Sequence, residues 1–309
     1  MAGSRTPTST GIVGEHPTLW TGLALPGVLW LLLLFIAPFY AILAVSMGRL
    51  DPIFLSPIPE FNPYYWDPSV FADVFGDIFG GPLGPTFLRT IGYVVAATAL
   101  CILMGYPVAY FVARRAGRWK GLFLLLLLAP FWINYLMRML AWVNVLDVDG
   151  QVNSLLMTFG LLQEPRNWLA GHHETVILGL VYGYIPWFIL PLYAALDRID
   201  KDVLEAARDL GAGPLRAFAR VTLPLSKQGI LAGTVIITLP MFGDYYTPDL
   251  LSGSPRTRMI GNDISLFILS STSAGGKGAA LTIVLMLFVA VLMTYYLLSV
   301  ARATREAAA

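Results

Sequence analysis

The chain has 309 residues, of which 57% are hydrophobic and only 13% are charged, and its mean hydropathy is +0.69. This composition excludes an ordinary soluble globular domain and indicates an integral membrane protein. The formal net charge of +1 offers no extended basic face, so nucleic acid is not an expected partner.

The chain begins with a polar extension, residues 1–18, and continues into a long apolar run. That run is far longer than the roughly 7–15 residues of a signal-peptide core, which indicates a retained first span. A bilayer core requires about 20 apolar residues per helix. The sequence therefore predicts an all-α membrane domain over 19–300, followed by a tail at 301–309. Its six predicted transmembrane helices cover 19–45, 87–112, 121–146, 175–196, 229–251 and 279–300.

The distribution of charge predicts which loops face the cytoplasm. The loop after the second span has a dense cluster of basic residues, namely Arg114, Arg115, Arg118 and Lys120. The loop before it, 47–86, is mostly acidic. Because basic residues mark the cytoplasmic side, we expect 47–86 outside, 197–227 inside, and both termini in the cytoplasm.

Cys101 lies within the second span, where we expect it to pack as a small hydrophobic residue.

The predicted outer loop 47–86 is rich in proline and aromatic residues. Within it, apolar residues recur at helical spacing, namely Val70, Phe71, Val74, Phe75 and Ile78. We expect a short helix along the outer interface. It either covers the ends of the spans or contacts a partner.

The longest charged insert is the loop 197–227, which contains the stretch "EAARDLGAGPLRAFARVTLPL" from Glu205 to Leu225. Asp202 and Glu205 have the spacing of a capping box, so a helix is expected to begin there. Gly211 is suited to end that helix in a left-handed conformation, and Pro214 to begin a second one. The first helix has one narrow apolar stripe, made of Val203, Ala206, Ala207 and Leu210. Small side chains favour close docking of another surface, and the alternative is an amphipathic hairpin lying on lipid headgroups.

This stretch resembles the EAA loop of the permease subunits of binding-protein-dependent ABC importers. The resemblance rests on Glu205, Ala206, Ala207, Gly211, Leu223 and Pro224. In that family the loop is the coupling helix that seats in a groove of the ATPase subunit. We therefore name residues 197–227 the coupling loop, and the resemblance assigns these six residues to ATPase coupling.

Most of the chain resembles the spermidine/putrescine branch of these permeases. The similar stretches are "GYPVAYFVARR", "PFWINYLMRMLAW", "GLVYGYIPWFILPLYAALDRID" and "DLLSGSPRTRMIGNDI". The resemblance implies a lipid-embedded permease in a bacterial inner membrane that moves spermidine or putrescine inward. It also implies a second permease subunit, two copies of an ATPase that binds ATP and Mg, and a substrate-binding protein that docks from the periplasm or extracellular side. Other substrates of the same importer class are alternatives, namely 4-aminobutyrate, ferric iron, and sulfate or molybdate.

Catalysis by this chain itself has little support in the sequence. It lacks the GxxxxGK[ST] loop of an ATPase, the G-x-S-x-G of a serine hydrolase and a spaced Cys/His metal set. Adjacent residues such as His172 and His173 do not share one helical face. We expect no enzyme activity, cofactor or metal in this chain. An ion-gradient-driven carrier is a weaker alternative, because neither a relay of acids nor inverted repeats are visible.

Two of the charged residues within the predicted spans, Arg138 and Asp244, are functional candidates because burial of a charge in lipid is costly. The simplest role for Arg138 is to pair with an acid or a helix-end carbonyl, and Asp244 is one such acid. An acid among aromatic faces is also a natural lining for a cationic amine. The candidate substrate pathway therefore comprises Asp244 and Arg138 with Tyr245, Tyr246, Trp132, Tyr135, Tyr184 and Trp187. The alternative is an ion pair that holds spans together, with the rings as ordinary packing.

Overall fold

The computed structural model describes residues 17–54, 56–270 and 274–308. The predicted extension 1–18 lies almost entirely outside these residues. The described chain is almost wholly helical, as expected. Its helices are α1 (Pro17–Ser46), α2 (Ser69–Phe79), α3 (Leu83–Arg114), α4 (Lys120–Leu128), α5 (Tyr135–Leu146), α6 (Gln151–Thr158), α7 (His173–Asp197), α8 (Lys201–Asp209), α9 (Pro214–Ala217), α10 (Leu223–Leu225), α11 (Lys227–Phe242), α12 (Tyr246–Leu251), α13 (Ile260–Leu269) and α14 (Ala274–Ala308).

Shorter elements connect these helices. Two strands, β1 (Arg49–Leu50) and β2 (Pro57–Ile58), form a small antiparallel hairpin after α1. Short 3₁₀ turns cover Pro63–Tyr65, Gly117–Trp119, Ala129–Trp132 and Pro255–Thr257, and a π-helix covers Phe218–Thr222. The backbone of the predicted tail continues α14 as far as Ala308.

Within the described ranges, four helical segments are long and apolar enough to cross a bilayer unbroken, namely Gly22–Ser46, Leu83–Arg114, His173–Asp197 and Ala274–Ser299. Two further spans are bent helix pairs, so the count reaches six only if each pair is one span. The segments Gly117–Trp132 and Tyr135–Thr158 meet at 90°, and Pro214–Leu225 and Lys227–Phe242 meet at 60°. The first bend interrupts the span predicted over 121–146. The second bend lies at Ser226, before the span predicted over 229–251, and that span is interrupted instead between the end of α11 at Phe242 and the start of α12 at Tyr246.

The two interruptions have local causes. Pro130 has no backbone N–H to donate, and Asn134 caps the next helix by accepting from the N–H of Leu136 at 2.9 Å. In the span predicted over 229–251, α11 ends at Phe242 with Gly243 as its C-cap, and the Asp244 carboxylate accepts from the N–H of Thr247 at the start of α12. Side chains therefore satisfy the backbone groups that each break releases, as burial in a membrane requires.

The core forms where α3, α7 and α11 pack together around Phe188, which is fully buried. A Cβ atom on Gly105 or Gly233 would come within 2.8 Å of Phe188, and one on Gly229 would lie 2.4 Å from the Cβ of Ala195. Glycine thus permits the close approach of these helices. Cys101 is buried in the same core as a free thiol, which confirms its expected packing role.

The expected short helix in the outer loop is confirmed as α2. Val74 is fully buried, and Val70, Phe71 and Ile78 pack against the core formed with α3 and α14. An ion pair of 3.2 Å between Lys277 and Asp77 adds a polar link from α14 to this helix. These contacts favour α2 as a cover for the ends of the spans.

Candidate functional site

The first helix that lies wholly within the coupling loop is α8, which begins at Lys201. Asp200 occupies the N-cap position, and its side chain makes no capping hydrogen bond. The expected capping box of Asp202 and Glu205 is therefore wrong, because the helix starts before Asp202 and places that residue in its first turn. An acid in this position still interacts favourably with the helix dipole.

The end of α8 follows the expected glycine geometry. Gly211 has a φ of +81°. Its N–H donates to the carbonyl of Arg208 at 2.8 Å, and the N–H of Ala212 donates to that of Ala207 at 3.0 Å. These are the two hydrogen bonds of a Schellman motif. Pro214 then begins α9, so both the left-handed end and the start of the second helix are confirmed.

All six residues assigned to coupling by resemblance lie on this loop. Glu205, Ala206, Gly211, Leu223 and Pro224 are exposed, and Ala207 is half-buried. Two leucines near them, Leu210 and Leu215, are 89% and 84% exposed. Exposed apolar side chains of this kind indicate an interaction surface. The structure thus leaves most of this surface exposed, and the coupling role of the six residues stays a prediction.

The opposite side of the coupling loop is fixed to α3. The Phe218 ring packs edge-on against the rings of Tyr106 and Tyr110, with centroid distances of 5.4 and 5.9 Å. The hydroxyl groups of Tyr106 and Ser226 lie 2.9 Å apart, and the Arg114 guanidinium donates to a loop carbonyl. The sequence showed Phe218 in an apolar repeat, but it gave no signal for these partners on α3.

A second candidate site is a cavity of about 240 Å³ beside the break before α5 and the break between α11 and α12. Its wall is formed by Tyr135, Arg138, Gly183, Tyr184, Trp187, Pro240, Gly243, Asp244, Tyr245 and Tyr246. Seven of the eight predicted pathway residues therefore come together here. Trp132 is 79% exposed and does not line the cavity.

The carboxylate of Asp244 is buried and held by neutral donors. Its Oδ2 accepts from the hydroxyl groups of Tyr135 at 2.9 Å, Tyr184 at 3.2 Å and Thr247 at 2.7 Å. Its Oδ1 accepts from the N–H of Thr247 at 3.1 Å. This set of donors satisfies the buried carboxylate oxygens, and it joins the start of α12 to α5 and α7.

The guanidinium of Arg138 faces the same cavity, and its buried nitrogens have no hydrogen-bond partner among the residues that the structure describes. It is 8% exposed, and its Nε and Nη1 atoms are buried and unpaired. Its guanidinium carbon lies 4.0 Å from the ring centroid of Phe131, 5.3 Å from that of Tyr135 and 5.9 Å from that of Tyr182. No ion pair in the described ranges joins Arg138 to Asp244. The expected pairing of Arg138 with an acid or a carbonyl is therefore wrong, because aromatic faces surround the cation instead.

Residues 102–305 match the family described as the binding-protein-dependent transport system inner membrane component. The chain is 34% identical to the spermidine/putrescine transport system permease protein PotB of Haemophilus influenzae, over 84% of this chain and 88% of that protein. It is 32% identical to PotB of Escherichia coli, over 86% and 92%. The inner membrane ABC transporter permease protein YdcU of Escherichia coli is 28% identical, over 93% and 91%.

Solved structures share the fold at low sequence identity. A chain of a bacterial alginate ABC transporter, crystallised with an alginate pentasaccharide-bound periplasmic protein, has a TM-score of 0.69 and 17% identity, covering 90% of this chain and 92% of that chain. A chain of the inward-facing MetNI methionine ABC transporter has a TM-score of 0.53 and 15% identity, covering 72% and 95%.

Proposed function

We propose that this chain, which belongs to the family of binding-protein-dependent transport system inner membrane components, forms part of the translocation pathway of an ATP-driven importer for spermidine or putrescine. The observation that carries this conclusion is the identity of 34% and 32% to two spermidine/putrescine permeases, over more than four fifths of each chain. The exposed coupling loop and the acid-containing aromatic cavity support it, because they supply an attachment for a motor and a lining for a cation.

The path of the chain supports a mechanical link between these two features. α11 begins at the end of the coupling loop and ends at Phe242, two residues before Asp244. Its 16 residues span about 24 Å at the usual helical rise. Displacement of the coupling loop by an ATPase would therefore be carried by α11 to the cavity. Glu205 to Gly211 receive the motion, together with Leu223 and Pro224.

The proposed assembly contains a second permease subunit, two copies of an ATPase and a soluble substrate-binding protein outside the membrane. ATP and Mg are bound by the ATPase, whereas this chain supplies the pathway and the coupling surface and is not itself an enzyme. We place it in a bacterial inner membrane, surrounded by lipid, with both termini in the cytoplasm. The cluster of basic residues after the second span supports this orientation.

The assembly is tested by purifying the tagged chain from a strain that co-expresses its candidate partners and then reconstituting it into vesicles. We expect an ATPase to co-purify and labelled spermidine or putrescine to enter the vesicles only with ATP and the binding protein. Labelled 4-aminobutyrate, ferric chelate and sulfate are the matched competitors. Uptake of one of these in preference to both polyamines would overturn the proposed substrate.

A further inference from the structure

The cavity contains two charges of opposite sign that do not pair with each other. Asp244 already accepts four hydrogen bonds, whereas the buried nitrogens Nε and Nη1 of Arg138 have no acceptor. An arginine that only stabilised the fold would be expected to satisfy these nitrogens. The stacking of Arg138 on Phe131 holds the cation in place, and no acid in the described part of the chain forms an ion pair with it.

An uncompensated positive charge acts on any ammonium group that enters the same cavity. The volume of about 240 Å³ keeps such a group near both Asp244 and Arg138. Two unit charges that share a partly buried cavity interact more strongly than they would in water, so the repulsion by Arg138 opposes the attraction by Asp244. The rings of Tyr184, Trp187 and Tyr246 attract a cation without adding a full negative charge.

We propose that Arg138 determines how tightly the pathway holds a polyamine, and that its repulsion prevents the amine from being trapped at Asp244. This inference rests on the proposed polyamine function. The repulsion grows with the charge of the solute, so Arg138 disfavours spermidine, with three ammonium groups, more than putrescine, with two. Arg138 thereby contributes to the choice between the two amines as well as to the rate of release.

The test measures equilibrium binding of labelled spermidine and putrescine to the purified membrane complex without the soluble binding protein. In Arg138→Gln the dissociation constant for spermidine should fall on the order of tenfold, and that for putrescine by less. Maximal ATP-driven uptake should fall, because release becomes slower. Arg138→Lys keeps the positive charge, so its dissociation constant for spermidine should be higher than that of Arg138→Gln. A dissociation constant that is unchanged or higher in Arg138→Gln would overturn the proposal.

A second pair of variants covers the case in which Arg138→Gln does not assemble. Trp187 lines the same cavity and is about half exposed. Trp187→Lys adds a positive charge, and Trp187→Gln is its neutral control. The lysine variant should bind spermidine more weakly than the glutamine variant, with a smaller difference for putrescine, and equal binding would count against the inference. Failure of the unaltered complex to bind or transport either amine would instead reject the proposed function.

Discussion

The ring of Phe218 in the coupling loop meets the ring of Tyr106 on α3 edge-on, at a centroid distance of 5.4 Å and an interplanar angle of 85°. Phe218 begins the π-helix of the loop, and Tyr106 also contacts Ser226 near the end of the coupling loop. π-Helices occur frequently at functional sites. This contact fixes the coupling loop to α3, so in the proposed transport cycle a displacement of the loop would reach α3 as well as α11.

Phe218→Leu should separate docking from transport. The substitution keeps an apolar side chain but removes two edge-on ring contacts, each of which contributes about 0.5–1.5 kcal/mol beyond burial. We expect the ATPase to co-purify normally while polyamine uptake per ATP hydrolysed falls. Leu215→Ala, on the exposed side of the loop, is the matched control and should weaken ATPase retention instead. An unchanged ratio of uptake to hydrolysis in Phe218→Leu would exclude this contact from coupling.

Gly211→Ala should destabilise the end of α8. A side chain in the left-handed region costs about 1–2 kcal/mol, and the φ of Gly211 is +81°. No neighbouring atom lies within 4 Å of the added Cβ, so the cost comes from the backbone alone. We expect weaker ATPase retention and lower uptake, with partial recovery in Gly211→Asn because asparagine tolerates this conformation.

Gly213→Ser is the control for this effect, since Gly213 has a negative φ and precedes the first turn of α9. Serine is favoured at that N-cap position. Full ATP-driven uptake by a well-assembled Gly211→Trp complex would show that the glycine end of α8 is not needed for coupling.

Much of the coupling loop could be predicted from the sequence, because its signals are local. Gly211 and Pro214 specify their own backbone conformations, and both predictions are confirmed. The broken spans also had local signals, namely Pro130 followed by Asn134 and Gly243 followed by Asp244. The length of each apolar run nevertheless favoured one continuous helix in the sequence-based prediction. A break in the helix is tolerated within a membrane protein where side chains form hydrogen bonds with the released backbone groups.

The cavity was predictable as a set of residue types but not as an arrangement. Asp244 and the tyrosines were chosen because acids and rings suit a cation, yet their grouping depends on the 90° bend that brings α5 beside α7. The absence of a partner for Arg138 had no sequence signal, because pairing depends on contacts between distant segments. Trp132 lies at the 90° bend, and its position outside the cavity could not be predicted without knowledge of that bend.

Asp244→Asn should lower polyamine uptake more than it lowers assembly. Removing the charge weakens the attraction for an ammonium group, and the altered hydrogen bonding costs about 1–3 kcal/mol in stability. Thr247→Val is the control, because it removes one donor to Asp244 but keeps the carboxylate charge. Uptake normalised to assembled complex should fall only in the asparagine variant. Equal uptake by the two variants would leave Asp244 with the structural role of joining α12 to its neighbours.

Gly233→Ala should lower the thermal stability of the chain in detergent. Its Cβ would lie 2.8 Å from both the carbonyl oxygen and the ring of Phe188, so α11 must move away from α7. Overpacking of this kind costs about 1–3 kcal/mol. Gly92→Ala on α3 is the control, because nothing lies within 4 Å of its added Cβ and alanine favours a helix by up to about 1 kcal/mol. A loss of stability as large in Gly92→Ala would contradict the packing explanation.

The coupling loop and the outer segment should react with a membrane-impermeant maleimide from opposite sides. Tyr64, in the 3₁₀ turn before α2, is 86% exposed, and Leu210 on the coupling loop is 89% exposed. Both positions are outside the predicted spans, so a cysteine at either is accessible on its own side. In intact spheroplasts we expect Tyr64→Cys to be labelled and Leu210→Cys to be labelled only after lysis.

The unaltered chain is the background control for this experiment, because its single cysteine, Cys101, is fully buried and should not react. An ATPase in the cytoplasm reaches the coupling loop only if Leu210 is on that side. The basic residues near α3 predict this orientation, since they are retained in the cytoplasm during insertion. Labelling of Leu210→Cys before lysis would place the loop outside and remove its proposed contact with the ATPase, whatever the solute.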